Sequence, residues 1–224
     1  MKLLLTSSGL RNKSIENALR HLQGKPFGKM NLAFIPTAAN VEEGDKWWLI
    51  EDLANCKKLG FASVDIVDIS ALPKSMWQKR LEAAGILLFG GGNTFHLMYW
   101  LKKSGLEKLL PLLLKTRVYV GISAGSMVTG KNLSLSQSQK LYYEDLSSEY
   151  KDETGLGFVN FHVRPHLNNP SFPKVKVKYL EKLATKIPEP IYAIDDETAL
   201  KVVDGKVEIV SEGKHAEFNL KSLI

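Results

Sequence analysis

Gly121-Ile122-Ser123-Ala124-Gly125 follows the apolar run Val118-Tyr119-Val120 and matches the pattern Gly-x-Ser-x-Gly. In that setting the serine is predicted at a sharp strand-to-helix turn, where small neighbours let the helix pack close and Oγ projects above a sheet as a nucleophile. The Ala124 N–H would face the oxygen that turns negative on attack. A second glycine turn, Gly90-Gly91-Gly92-Asn93-Thr94, follows Ile86 to Phe89, offers Asn93 or Thr94 as a helix N-cap, and can supply another donor. It lacks both the phosphate-loop signature and the spaced dinucleotide glycines, so nothing more specific than glycine speaks for a nucleotide.

A serine nucleophile needs a base, and the histidines are His21, His96, His162, His166 and His215. His21 falls on a predicted helix, His96 at the start of the helix after the glycine turn, His162 inside a predicted strand and His215 near the C-terminus, all places for surface or packing histidines. His166, in Arg164-Pro165-His166-Leu167, ends that strand and is expected over the same sheet edge as Ser123. A carboxylate should orient the imidazole and stabilise its charged form. Asp195, Asp196 and Glu197, after Ile191 to Ile194, are the candidates. The order serine, histidine, acid departs from the serine, acid, histidine order of α/β-hydrolases, which argues against an ordinary lipase or esterase.

These residues need elements to hold them. Lys2 to Leu5, Asn31 to Ile35, Ala62 to Val67, Ile86 to Phe89 and Val118 to Val120 are short apolar runs suited to strands of a covered sheet. Between them Lys13 to Leu22, Asp45 to Leu59, Trp77 to Ala84 and Phe95 to Leu114 are of helical length, the last expected as two helices broken near Gly105. The alternation predicts an α/β fold with a doubly wound, mostly parallel sheet flanked by helices. Lys131 to Gln139 and Tyr142 to Glu153 are polar and weakly periodic, and read as an excursion over the active face. Phe158 to Val163 is expected as a strand, Lys174 to Lys186 as a helix, and Ile191 to Ile194, Ala199 to Val203 and Val207 to Val210 as strands, the last two joined through Asp204-Gly205 as a C-terminal β-hairpin. Ligands of such sheets bind beyond the carboxyl ends of the strands.

The 224 residues suit one domain, 1–224, and 44% hydrophobic with 24% charged residues argue against disorder or coiled coil. The longest uncharged apolar runs, Gly85 to Gly90 and Leu109 to Leu114, fall far short of the ~18 residues of a membrane span. Met1 to Ser8 holds too short an apolar stretch for a signal peptide and reads as a first strand. Cys56 is alone, which excludes an internal disulfide and a cysteine-based metal site, and suggests a buried thiol and a cytoplasmic home. The net charge of +6 is spread along the chain, so a solvated surface is expected and neither nucleic acid nor membrane is a partner.

Taken in order, Gly90-Gly-Gly-Asn-Thr94, Gly121-Ile-Ser-Ala-Gly-Ser126, Pro165-His166 and Ile194-Asp-Asp-Glu-Thr198 resemble the peptidase E family of serine peptidases, which includes cyanophycinase. The resemblance implies a class I glutamine amidotransferase-like α/β fold and a cytoplasmic hydrolase of small peptides without metal or organic cofactor; the expected assembly is a monomer or a small homo-oligomer. It implies Ser123 as nucleophile, His166 as base, Gly92 and Ala124 as oxyanion donors and Asp196 as the acid, with Glu197 the alternative if the turn shifts by one.

An N-terminal aspartate, the peptidase E substrate feature, calls for a fixed cation. The arginines are Arg11, Arg20, Arg80, Arg117 and Arg164, with none between Leu167 and Lys186, where the resemblance implies one; Lys174, Lys176 or Lys178 are substitutes. Lys131 to Gln139 also lacks the aspartate that the resemblance implies after the nucleophile helix. The expectation is a dipeptidase with an open question over N-terminal aspartate. Its rivals are a cyanophycinase-like isopeptidase, with Glu144, Asp145 and Glu149 to receive an arginine side chain, and a catalytically silent peptide- or amino-acid-binding member of the fold. A glutamine amidotransferase would need a cysteine at the elbow, and Cys56 is far from it.

Overall fold

The computed structural model describes residues 1–142 and 152–220. Strands β1 (Lys2–Thr6), β2 (Asn31–Ile35), β3 (Ser63–Ile66), β4 (Ile86–Phe89) and β5 (Val118–Ile122) alternate with helices α1 (Lys13–Gln23), α2 (Trp47–Lys58), α3 (Lys74–Ala83), α4 (Thr94–Lys103) and α5 (Leu106–Leu113). The second half holds α6 (Ala124–Met127), α7 (Leu135–Tyr142), β6 (His162–Arg164), α8 (Val177–Ala184), β7 (Ile191–Ile194), β8 (Thr198–Val203), β9 (Lys206–Ser211) and β10 (His215–Phe218). Among the described residues no helix is long and apolar enough to cross a membrane.

The main sheet has the order β3-β2-β4-β5-β1-β8-β9. Its first five strands are parallel, and β8 and β9 are added antiparallel as the expected hairpin, with Val203 opposite Lys206 across Asp204-Gly205. Residues of β4 and β5 are buried throughout, as strands covered on both faces require. Alternation sorts them by face: Leu87, Phe89 and Tyr119 pack with Trp77, Leu101 and Leu110 of α3, α4 and α5, whereas Leu88, Val118 and Val120 pack with Ile15, Leu19 and Cys56 of α1 and α2. Asn12 starts α1 by accepting from the Ile15 N–H at 2.9 Å, and Gly24 ends it in the left-handed conformation. The anticipated break between α4 and α5 is observed at Ser104-Gly105.

Three expectations need correction. The strand expected over Phe158 to Val163 is confined to His162–Arg164, and it joins not the main sheet but a second one of order β10-β7-β6. Upstream of it the backbone is drawn away: the Phe158 and Val159 N–H groups both donate to the Thr129 carbonyl, at 2.8 and 3.2 Å. The polar stretch Lys131 to Gln139 is not all excursion, since α7 begins within it. Its inward positions are Gln137 and Ser138 besides Leu141, all buried, so no apolar stripe marked it. Gln137 accepts from the almost fully buried Arg164 at 3.1 Å and donates to the Leu183 carbonyl at 3.3 Å, which ties α7 to β6 and α8. Residues 143–151 of the expected excursion, with Glu144, Asp145 and Glu149, lie outside the described residues.

Candidate active site

Ser123 is the residue between β5 and α6 and has φ 48°, ψ −107°, a conformation side chains other than glycine rarely adopt. Close packing imposes it. A Cβ on Gly125 would stand 2.1 Å from the Phe89 carbonyl oxygen, and one on Gly121 would stand 2.6 Å from backbone atoms of Gly125 and Ser126, so the short helix presses directly on β4 and β5. The Ser123 N–H donates to the Thr6 carbonyl at 3.1 Å, and buried Tyr119 donates its hydroxyl to the Gly125 carbonyl at 2.6 Å. The nucleophile candidate is thus fixed from both neighbouring strands, β1 and β4.

Gly92 has φ 124°, and a Cβ there would fall 2.3 Å from the Ala38 carbonyl oxygen. The Asn93 N–H donates to that same carbonyl at 2.9 Å, and the Asn93 side chain accepts from the Phe95 and His96 N–H groups as the N-cap of α4. The N–H groups of Gly92 and Ala124 meet no acceptor among the described residues. Gly91 and Gly92 line the same cleft as Ser123.

His166 follows β6 and also has positive φ, 63°. Its Nε2 lies 3.0 Å from Ser123 Oγ and its Nδ1 lies 2.8 Å from Asp196 Oδ1. Phe172 stacks on the imidazole at 4.7 Å between ring centres. The three acids after β7 have separate partners. Asp195 accepts from the Glu197 N–H and the Thr198 hydroxyl, closing its own turn; Asp196 meets His166; Glu197 accepts from the Asn12 amide at 3.0 Å.

Burial alone would raise the Asp196 carboxyl, yet the hydrogen bond and charge of His166 and the hydroxyls of Ser7 and Ser8 hold it far below the usual carboxylate range. Asn169 also donates to its second oxygen at 2.6 Å. Ser7, at the end of β1, bridges the group: its Oγ accepts from the His166 N–H at 2.8 Å and donates to Asp196 Oδ1 at 2.7 Å. Sequence reasoning passed over Ser7, Ser8 and Asn169. The first two could have been found by the strand-end rule, because they follow β1 at its carboxyl end, beside Ser123.

The cleft around Ser123 measures about 360 Å³. Beyond the residues above it is lined by Trp47 and Trp48 of α2, by Tyr142 at the end of α7, and by Glu42, Glu43, Glu51 and Asp52. Arg11 is its basic side chain among the described residues, and it pairs with Glu51 at 3.2 Å. Lys174, Lys176 and Lys178 do not line it. Burial pushes the Asp52 carboxyl up to about 7, against the lowering pull of Arg11 and with Glu51 adding to the rise. One turn further along α2, burial and the Asp52 charge push the Cys56 thiol up to about 12, as befits a structural thiol. His162 lines a different groove; burial and Arg164 lower it to about 4, so its 3.8 Å approach to Glu189 is not an ion pair at neutral pH.

The family model of peptidase family S51 matches residues 3–210. An uncharacterized peptidase of Pasteurella multocida (strain Pm70) is 28% identical over 188 residues, covering 83% of this chain and 86% of that one. A peptidase E of Shewanella sp. (strain MR-4) is 36% identical over 169 residues, covering 75% and 66%. A solved structure from Listeria monocytogenes EGD-e, assigned to peptidase E, superposes with a TM-score of 0.77 at 26% identity and covers 95% of this chain and 98% of that one.

Proposed function

Because the chain belongs to peptidase family S51, and is therefore a serine peptidase of the peptidase E type, we propose that Ser123 is its nucleophile, His166 its general base and acid, and Asp196 the carboxylate that orients His166. The observation that carries the assignment is the continuous chain Ser123 Oγ, His166 Nε2, His166 Nδ1, Asp196 Oδ1, with steps of 3.0 and 2.8 Å about a serine of φ 48°. Oγ attacks the scissile carbonyl while Nε2 takes its proton. The carbonyl oxygen becomes negative and is met by the Gly92 and Ala124 N–H groups, whose lack of other acceptors supports this role. The tetrahedral species collapses as His166 returns the proton to the leaving amine. Water, deprotonated by His166, then releases the acid and restores Ser123. Asp196 keeps Nδ1 protonated so that Nε2 is the basic nitrogen, and its strongly depressed pKa keeps it ionised for that task.

The substrate we assign is a small peptide, chiefly a dipeptide, since a cleft of about 360 Å³ admits a few residues and no folded chain. In this reading residues 1–224 act as one cytoplasmic peptidase domain. A preference for N-terminal aspartate has no support in the cleft, where the carboxylates of Glu42, Glu43, Glu51, Asp52 and Asp196 accompany Arg11, its one arginine or lysine among the described residues. The test is labelling by an active-site-directed fluorophosphonate in wild type, Ser123→Ala and His166→Ala, followed by a dipeptide panel on the same samples. Labelling and turnover should vanish with Ser123 and fall at least about 10³-fold with His166. A well-folded wild type that neither labels nor turns over would sink the assignment in favour of a binding protein on the same fold.

A further inference from the structure

The acidic side of the cleft contains a carboxylate with no hydrogen-bond partner among the described residues. Asp52 is only 7% exposed, accepts no hydrogen bond among the described residues, and still lines the cleft that holds Ser123. Its Oδ1 and the Ile122 side chain both lie within 3.0 Å of the point where a Cβ on Gly9 would stand, and Ile122 immediately precedes the nucleophile. Trp48, one turn earlier on the same face of α2, approaches Gly91 to within 3.7 Å of its missing Cβ, and that point lies 3.5 Å from Ser123 Cβ. The α2 face carrying Trp48 and Asp52 is therefore a wall of the reaction site.

We propose that Asp52 determines specificity, receiving the cationic group, an ammonium or guanidinium, of the residue on the acyl side of the scissile bond. This rests on the reading of Ser123 as nucleophile. A buried carboxylate without a donor is costly to keep unless something fills the gap. Arg11 is the nearest basic group, but its guanidinium is committed to Glu51 and forms no hydrogen bond or close ion pair with Asp52. Glu42, Glu43 and Glu51 around the same cleft add negative charge, which attracts a cation and opposes an aspartate side chain. Trp47, 59% exposed, and Trp48 supply aromatic surface for an alkyl stem or a cation face. Burial outweighs the pull of Arg11 on Asp52, which leaves room for a further positive charge to favour its ionised form.

The test compares lysyl-leucine, leucyl-leucine, aspartyl-leucine and N-acetyl-leucyl-leucine as substrates of wild type, Asp52→Asn and Asp52→Glu. Binding of lysinamide to Ser123→Ala and to Ser123→Ala/Asp52→Asn is measured by calorimetry. We expect KM for lysyl-leucine to rise on the order of 30-fold in Asp52→Asn, with kcat changed far less and Asp52→Glu recovering most of the loss. Lysinamide should bind only where Asp52 is present. If the side chain is what Asp52 reads, the advantage of lysyl-leucine over leucyl-leucine collapses in Asp52→Asn. If it reads the α-ammonium, both free dipeptides suffer alike and the acetylated one is refused by wild type. KM values within twofold of wild type for every substrate, or equal lysinamide binding by both Ser123→Ala proteins, would overturn the proposal. Fluorophosphonate labelling of wild type is run alongside: Asp52-dependent lysinamide binding without labelling would uphold the cation site and defeat only the nucleophile assignment.

Discussion

Replacing Asp52 by asparagine should raise stability relative to wild type increasingly as pH rises, and the size follows from burial. The carboxyl titrates near 3.8 when solvated and at about 7 in the fold. Between those values the folded state holds a proton that the unfolded chain releases, so wild-type stability falls as pH rises from about 4 to about 7 and stays lower above. At about 1.4 kcal/mol for each unit of displacement, the ionised form costs on the order of 4 kcal/mol. Asparagine has no such titration. Its own buried amide costs about 1–3 kcal/mol at every pH, so the quantity to follow is the change of the mutant-minus-wild-type difference with pH. Urea unfolding of both proteins at matched m-values, at about pH 4 and about pH 8, should show the asparagine variant gaining about 4 kcal/mol between the two. Other groups titrate alike in both proteins and cancel. A difference that stays flat within about 1 kcal/mol would refute the reasoning and mean that the carboxylate is solvated through the cleft.

Three further residues carry expected outcomes. Asp196→Asn should lower kcat about 10³- to 10⁴-fold with little effect on KM, because the imidazole loses its orientation and tautomer; a loss under tenfold would remove Asp196 from the mechanism. Its depressed pKa also gives Asp196 a stabilising contribution that is complete above about pH 4 and lost as pH falls through the folded value, so acid titration of unfolding should separate wild type from Asp196→Asn above that point and not below it. Ser7→Ala should reduce kcat about tenfold by releasing both Asp196 and the His166 backbone, with Ser7→Thr closer to wild type, and unchanged kinetics in Ser7→Ala would make the bridge ornamental. Gly125→Ala, which would put a methyl 2.1 Å from the Phe89 carbonyl oxygen, should abolish soluble folded protein or lower Tm by more than about 10 °C.

What the sequence disclosed was what local sterics demand. Gly121 is required by Gly125 and Ser126 close in the chain and Gly125 by Phe89 of the adjacent strand, yet both stand within one five-residue pattern, so the elbow could be recognised there, and the alternation of β1 to β5 with helices followed from apolar period alone. The second sheet was not legible, because β6 is three residues, His162-Val163-Arg164, and β7 a four-residue apolar run, and neither says which sheet it joins. Three adjacent acids could not be ranked by composition; their division of labour depends on Asn12, His166 and Thr198, which converge only in the fold. Asp52 was hidden for a different reason. A lone aspartate in Trp47–Lys58 reads as one more solvated helix position, and only its 7% exposure sets it apart.

The central place of β1 also times the appearance of activity. Thr6 is opposite Ile122 on one side and Ala199 on the other, so β1 has neighbours that are made more than a hundred residues after it. At about 5–20 residues per second that wait is on the order of 10 s, and the non-local pairing itself is slow to form. Until it forms, Ser7 has no His166 or Asp196 to join, and Ser123 lacks the Thr6 carbonyl that holds its backbone. A half-made chain therefore lacks the hydrogen-bonded set of Ser7, Ser123, His166 and Asp196, so on the proposed reading chain order itself withholds the activity until those segments have been made.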